Sequence, residues 1–140
     1  AFGEDNGVSR DSSTVLHIED NPANLRLVSQ LCARSPHIDL LEAREPEAAL
    51  QLARDHQPAL VLLDLNLPGM NGFEVLARLR ATPGLQRTPV VAITANAMAS
   101  ERERGLAAGF TDYLTKPLDI KEFETILYRW LGAAPEATGG

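Results

Sequence analysis

Residues 59–79 read ALVLLDLNLPGMNGFEVLARL: five apolar residues, a carboxylate at Asp64, a break at Pro68 and Gly69, then Phe73, Leu76 and Leu79 at helical spacing. A short uninterrupted apolar run that ends at turn residues suits a strand buried on both faces, and the spacing that follows marks one face of a helix. Strand followed by crossover helix is the building unit of a parallel sheet. The same unit recurs outward in both directions. TVLHI (14–18), IDLLEA (38–43), PVVAI (89–93) and DYLT (112–115) are the other strand candidates.

Helices fill the gaps. Pro22 and Pro46 suit first helical positions, the former followed by Leu25, Val28 and Cys32 on one face, the latter by the small face of Ala49 and Ala53. Phe123, Leu127 and Trp130 mark the last helix. The fourth, over 97–107, has little beyond Met98, Ala99, Leu106 and Ala107 around SERER (100–104), so it is expected to pack thinly and to shift, with Gly109 as its stop. Five such units predict an α/β fold of flavodoxin-like type, a doubly wound parallel sheet in the order 2-1-3-4-5.

Composition narrows the function. A chain of 140 residues that is 44% hydrophobic buries one core. Thirteen basic against 19 acidic residues, a net charge of -6, argue against a nucleic-acid surface. The single cysteine, Cys32, excludes an intrachain disulfide and fits a reducing cytoplasm. No apolar run approaches the roughly 20 residues of a membrane-spanning helix, and no signal-peptide pattern opens the chain, so a soluble piece without direct membrane contact is expected. Residues 1–13 and 132–140 read as flexible linker and tail around an ordered unit at 14–131, and the missing initiator Met suggests excision from a longer chain.

In open α/β sheets, chemistry gathers beyond the carboxyl ends of the strands. There the first strand ends in Glu19-Asp20, the third in Asp64, the fourth in Thr94 and the fifth in Lys116. Neighbouring strands lie about 4.8 Å apart, so Asp20 and Asp64 should face each other across a gap that an ion bridges. Crowded carboxylates need counter-charge. Lys116 supplies one, and hard oxygen donors with room for water favour Mg²⁺ over zinc. His17, His37 and His56 stand apart from one another in the sequence and read as structural or solvated imidazoles. Each residue alone has an ordinary explanation: Asp20 capping the helix at Pro22, Thr94 capping the next one, Lys116 lying in solvent. Their joint placement at successive strand ends argues against four accidents.

On HIEDN, LLDLNLPGMNG, AITANA and DYLTKPL, in this order, the chain closely resembles the receiver domain of two-component response regulators over 14–131. The resemblance implies a phosphorylation switch in which Asp64 takes a phosphoryl group from a partner kinase's phosphohistidine. By the family pattern Asp20 and Asp64 ligate Mg²⁺, Glu19 acts through water, and the backbone carbonyl of Asn66 completes the protein ligands. Thr94 and Tyr113 would be the signalling pair, Tyr113 turning from an outward to an inward position behind Thr94 in the phosphorylated state, and Lys116-Pro117 a cis peptide aiming the ammonium at the site. Asn66 and Asn96 occupy positions that tune phosphoryl lifetime; lacking a carboxylate, they predict slow to moderate autodephosphorylation. Leu67 stands where many receivers have methionine, a neutral exchange.

EDNPANLRLV and ITANAM further resemble receivers of hybrid sensor histidine kinases. The implied partners are a phosphohistidine domain, in the same parent chain or another, a histidine phosphotransfer protein, and a second copy through the face of helix 4, strand 5 and helix 5. Three rival readings have identifiable signatures. A haloacid-dehalogenase-like phosphohydrolase needs a second Asp where this chain has Asn66. A flavodoxin-like electron carrier needs a hydroxyl- and glycine-rich loop where it has EDNPAN. A degenerate receiver used only for docking would lack part of the phosphorylation set.

Overall fold

The computed structural model describes residues 13–67, 71–95 and 98–132. Along the chain run β1 (Ser13–Ile18), α1 (Pro22–Cys32), β2 (Ile38–Ala43), α2 (Pro46–His56), β3 (Leu60–Asp64), α3 (Gly72–Arg80), β4 (Val90–Thr94), α4 (Ala99–Ala108), β5 (Asp112–Thr115) and α5 (Ile120–Leu131). The strands form one parallel sheet in the order β2-β1-β3-β4-β5, the predicted order. Strand positions agree with the sequence reading to within one residue. Apart from Ser13, which opens β1, and Gly132, which ends α5, the expected linker and tail lie outside the described residues. So do Asn96, Pro68 and Gly69.

Alternation along the strands divides the core. Leu16, Ile18, Val61, Leu63, Val90 and Ala92 point to one face and pack against Ala49, Leu50 and Ala53 of α2 and Val75, Leu76 and Leu79 of α3. Val15, Leu60, Leu62, Val91, Ile93 and Leu114 point to the other, against Val28, Leu31 and Cys32 of α1 and Phe123, Ile126 and Leu127 of α5. Every residue of β3 and β4 is buried, which is why their sequences carry no polar alternation before the terminal Asp64 and Thr94. Asp64 is the one charged residue in those two strands, and it sits where the sheet meets the loops.

Helix ends follow local chemistry. The Asn21 carbonyl Oδ1 accepts from the N–H groups of Ala23 (2.8 Å) and Asn24 (3.1 Å), with Pro22 at the first helical position. Asn71 and Asp119 cap α3 and α5 by accepting from Phe73 (2.9 Å) and Lys121 (3.2 Å). α4 begins after Met98 without a side-chain cap and ends at Gly109, whose φ of 117° requires glycine. Leu106 of α4 is 49% exposed, in keeping with the thin packing expected of this helix. No described helix is long and apolar enough to cross a membrane.

Candidate functional site

The ordinary explanations of the strand-end residues fail one by one. Asn21, not Asp20, caps α1. Met98, not Thr94, occupies the cap position of α4. Lys116 is not loose in solvent, because its Nζ donates to Asp64 Oδ2 at 2.9 Å and stands 3.8 Å from Glu19 Oε1.

Asp64 is 2% exposed at the end of β3. Its second oxygen, Oδ1, accepts from the N–H of Asn66 (2.8 Å), so the carboxylate is held between a backbone donor and an ammonium. Burial opposes ionisation of Asp64, but the hydrogen bonds from Lys116 and Asn66 and the Glu19 carboxyl beside it outweigh burial and hold its pKa below the usual value. Glu19 moves the other way. Burial and the neighbouring Asp64 carboxylate raise it to about 7. Glu19 Oε2 accepts from the N–H of Asn21 (3.2 Å), while Oε1 is buried without a hydrogen-bond partner. The pleat of β1 sends Glu19 inward with His17; Asp20, the next residue, is exposed.

Thr94, 4% exposed, ends β4, and its carbonyl accepts from the N–H of Lys116 (2.8 Å). The Lys116-Pro117 peptide is cis. The Asn66 side chain turns to β4, its Oδ1 accepting from the N–H of Ala95 (2.9 Å), which ties the loops after β3 and β4 together. Tyr113 is buried in β5, its ring edge-on to Phe110 and its hydroxyl donating to the Glu101 carbonyl of α4 (3.1 Å); burial raises its pKa.

Among the described residues no group of three or more His, Cys, Asp and Glu side chains is placed to hold a metal; the two acids that gather at Lys116 are Glu19 and Asp64. This donor set fits a hard divalent cation that keeps several waters and takes few protein ligands, as Mg²⁺ does. Glu19 Oε1, buried without a hydrogen bond, is an acceptor suited to a metal-bound water. It does not suit zinc: His37 and His56 lie elsewhere, and His17 is sealed in β1 with its pKa lowered to about 4 by burial.

A cavity of about 100 Å³ lies beneath the site, lined by His17, Glu19, Asn24, Lys116, Pro117 and Leu118. A larger cleft of about 200 Å³ between α2 and α3, lined by Glu47, Glu74 and Arg78 among others, includes none of the candidate residues. The burial of His17 in β1 suits the structural reading of that imidazole; sequence reasoning missed the contact of Gly105 with Tyr113, signalled by a glycine in the middle of a helix.

Comparison with known proteins agrees with this geometry. The family model of the response regulator receiver domain matches residues 15–128. The signal transduction histidine-protein kinase BarA of Escherichia coli K12 is 35% identical over 123 residues, which are 87% of this chain and 13% of BarA. This chain thus spans only a small part of that relative's length. The polar-differentiation response regulator DivK of Brucella ovis is also 35% identical over 123 residues, covering 88% of this chain and 99% of DivK. Among solved structures, the receiver domain of the sensor histidine kinase PA1611 from Pseudomonas aeruginosa PAO1 superimposes with a TM-score of 0.76 at 33% identity. It covers 87% of this chain and 99% of that one, and it has a magnesium ion coordinated in its active site cleft. With the motifs, the strand order and this match over most of its length, the chain belongs to the response regulator receiver domains of two-component signalling.

Proposed function

We propose that Asp64 is the phosphoacceptor of this receiver and that its modification is read out at the face formed by α4, β5 and α5. One observation carries the reading: Asp64 is buried, held ionised, and gripped through one oxygen by Lys116 and through the other by the Asn66 backbone. An ionised, oriented carboxylate is a competent nucleophile. A carboxylate oxygen of Asp64 attacks phosphorus, the P–N bond of a phosphohistidine breaks, and its electron pair stays on the imidazole nitrogen, which takes up a proton. Lys116 then neutralises part of the charge on the transferring oxygens.

Asp64, Asp20 and the Asn66 carbonyl would hold Mg²⁺, with Glu19 acting through water. When bound, the ion supplies charge neutralisation at the phosphoryl oxygens. Thr94 is the hydroxyl that binds the new phosphoryl group, and Tyr113 follows it as the second member of the switch. Asn66 brings no general base, and neither does Asn96, so the phosphoryl group is lost at a slow to moderate rate.

The donor is a histidine kinase domain, and EDNPANLRLV and ITANAM, with the likeness to the receiver domain of the sensor histidine kinase PA1611, support the setting of a hybrid kinase with a histidine phosphotransfer protein downstream. The setting is cytoplasmic, and a second copy of the chain pairs through the same α4-β5-α5 face. Incubation with acetyl phosphate and Mg²⁺ should add the mass of one phosphoryl group, removable by hydroxylamine and blocked by EDTA. An adduct that survives hydroxylamine is not an acyl phosphate and would overturn the reading.

A further inference from the structure

Gly105 lies in the middle of α4, buried in a helix that has no side-chain cap at its start. A glycine there weakens a helix relative to alanine, and this helix has little packing to offset it. The explanation lies across the gap to β5. The three atoms nearest to the place a Cβ would occupy on Gly105 all belong to Tyr113: the hydroxyl oxygen, Cζ and Cε1. Each lies inside van der Waals contact. The Tyr113 hydroxyl donates to the carbonyl of Glu101, four residues before Gly105, so the phenol crosses α4 where the helix has no side chain.

We propose that Gly105 is the socket for the Tyr113 ring, the positioning residue that permits the inward placement and so sets the balance between inward and outward positions. The inference rests on the reading of Tyr113 as a switch residue. A methyl group at 105 leaves Tyr113 little room to yield within the core. The Phe110 ring stands edge-on to it with centroids 6.0 Å apart, and Phe73 backs Phe110 at 5.6 Å. The relief is rotation of Tyr113 about χ1, out of the core. Gly105→Ala therefore holds the ring outside although it improves the helix propensity of α4.

The chain has two tyrosines, and Tyr128 is 56% exposed, which makes it an internal reference. In protein labelled with 3-fluorotyrosine, wild type should show one resonance displaced from free fluorotyrosine, that of Tyr113, and one close to it. In Gly105→Ala the Tyr113 resonance should move to the exposed position. A resonance that stays in place overturns the socket. If Gly105→Ala lowers the thermal midpoint, Tyr113→Leu should reverse the sign, and Gly105→Ala should then raise it. An equal loss in both backgrounds means that the methyl group meets something other than Tyr113, and the proposal fails.

Affinity for beryllium fluoride with Mg²⁺, a phosphoryl mimic, separates the socket from the switch. A fall of about tenfold in Gly105→Ala, within the range usual for coupled sites, supports both. A moved resonance with unchanged affinity keeps the socket and removes Tyr113 from the switch.

Discussion

Helices α4 and α5 adjoin the same edge strand and are built to opposite specifications. α5 has a capping Asp119, three buried apolar residues in Phe123, Ile126 and Leu127, and a second tie through Arg129 and Trp130, both of which donate to Asp112 of β5. α4 has no side-chain cap, a half-exposed Leu106 and a central glycine. Its ties are the Tyr113 hydroxyl on Glu101, the Arg104 guanidinium over the Phe73 ring of α3 (5.7 Å) and, beyond its last turn, Arg80 donating to the Gly109 carbonyl (3.0 Å). Consecutive residues of β5 serve the two sides, Leu114 facing α5 and Tyr113 facing α4. A switch needs an element whose two arrangements differ by a few kcal/mol, and a deeply packed helix does not offer that. On the proposed reading, the α5 side of the strand is the fixed one and the side next to Thr94 the adjustable one.

The largest effect is expected on the tightly packed side. Phe123→Ala should lower stability by about 3–5 kcal/mol, as for other wholly buried aromatics. Leu106→Ala in α4 should stay within about 0.5 kcal/mol. Urea unfolding of the pair checks this, and comparable losses would erase the distinction.

Acid should also act on the α5 side of the sheet, where His17 is buried with both ring nitrogens lacking a hydrogen-bond partner. Its folded pKa of about 4 lies below the ordinary 6.5, so the unfolded chain binds a proton that the folded one refuses. The stability from a neutral His17 is complete above pH 6.5 and falls away as pH drops toward 4. Between pH 7.5 and pH 5 the loss is about 2 kcal/mol. His17→Leu should lose correspondingly less over that interval, measured without divalent cation; parallel profiles for the two proteins would contradict it.

A smaller effect than that of His17 is expected from the helix caps. Met98→Asp gives α4 the cap it lacks and should stabilise it by about 1 kcal/mol, whereas Asp119→Ala should weaken α5 by a similar amount. Opposite shifts of the urea midpoint at constant slope are the expected result.

What the sequence disclosed follows from the same physics. LVLLD and VVAIT are buried on both faces, so a continuous apolar run leaves few alternatives for β3 and β4, and the strand order followed from five short units. Glu19, Asp64, Thr94 and Lys116 were legible because strand ends converge whatever the side chains do. Details that depend on rotamer and pleat were not. In EDN (19–21) both Asp20 and Asn21 are able to cap a helix, and only the folded chain distinguishes them: Glu19 is buried, Asp20 is exposed and Asn21 caps. Gly105 carries no pattern of its own; its meaning comes from a tyrosine eight residues away on the next strand.

Modification of Asp64 should move α4 and leave α5 where it is. Amide hydrogen exchange, followed by mass spectrometry with and without acetyl phosphate and Mg²⁺, tests it directly. Altered exchange is expected in peptides spanning Ala99–Ala108, with unchanged exchange in Ile120–Leu131 and loss of the response in Asp64→Asn. An equal change in both helices, an unchanged α4, or a response that persists in Asp64→Asn would contradict it.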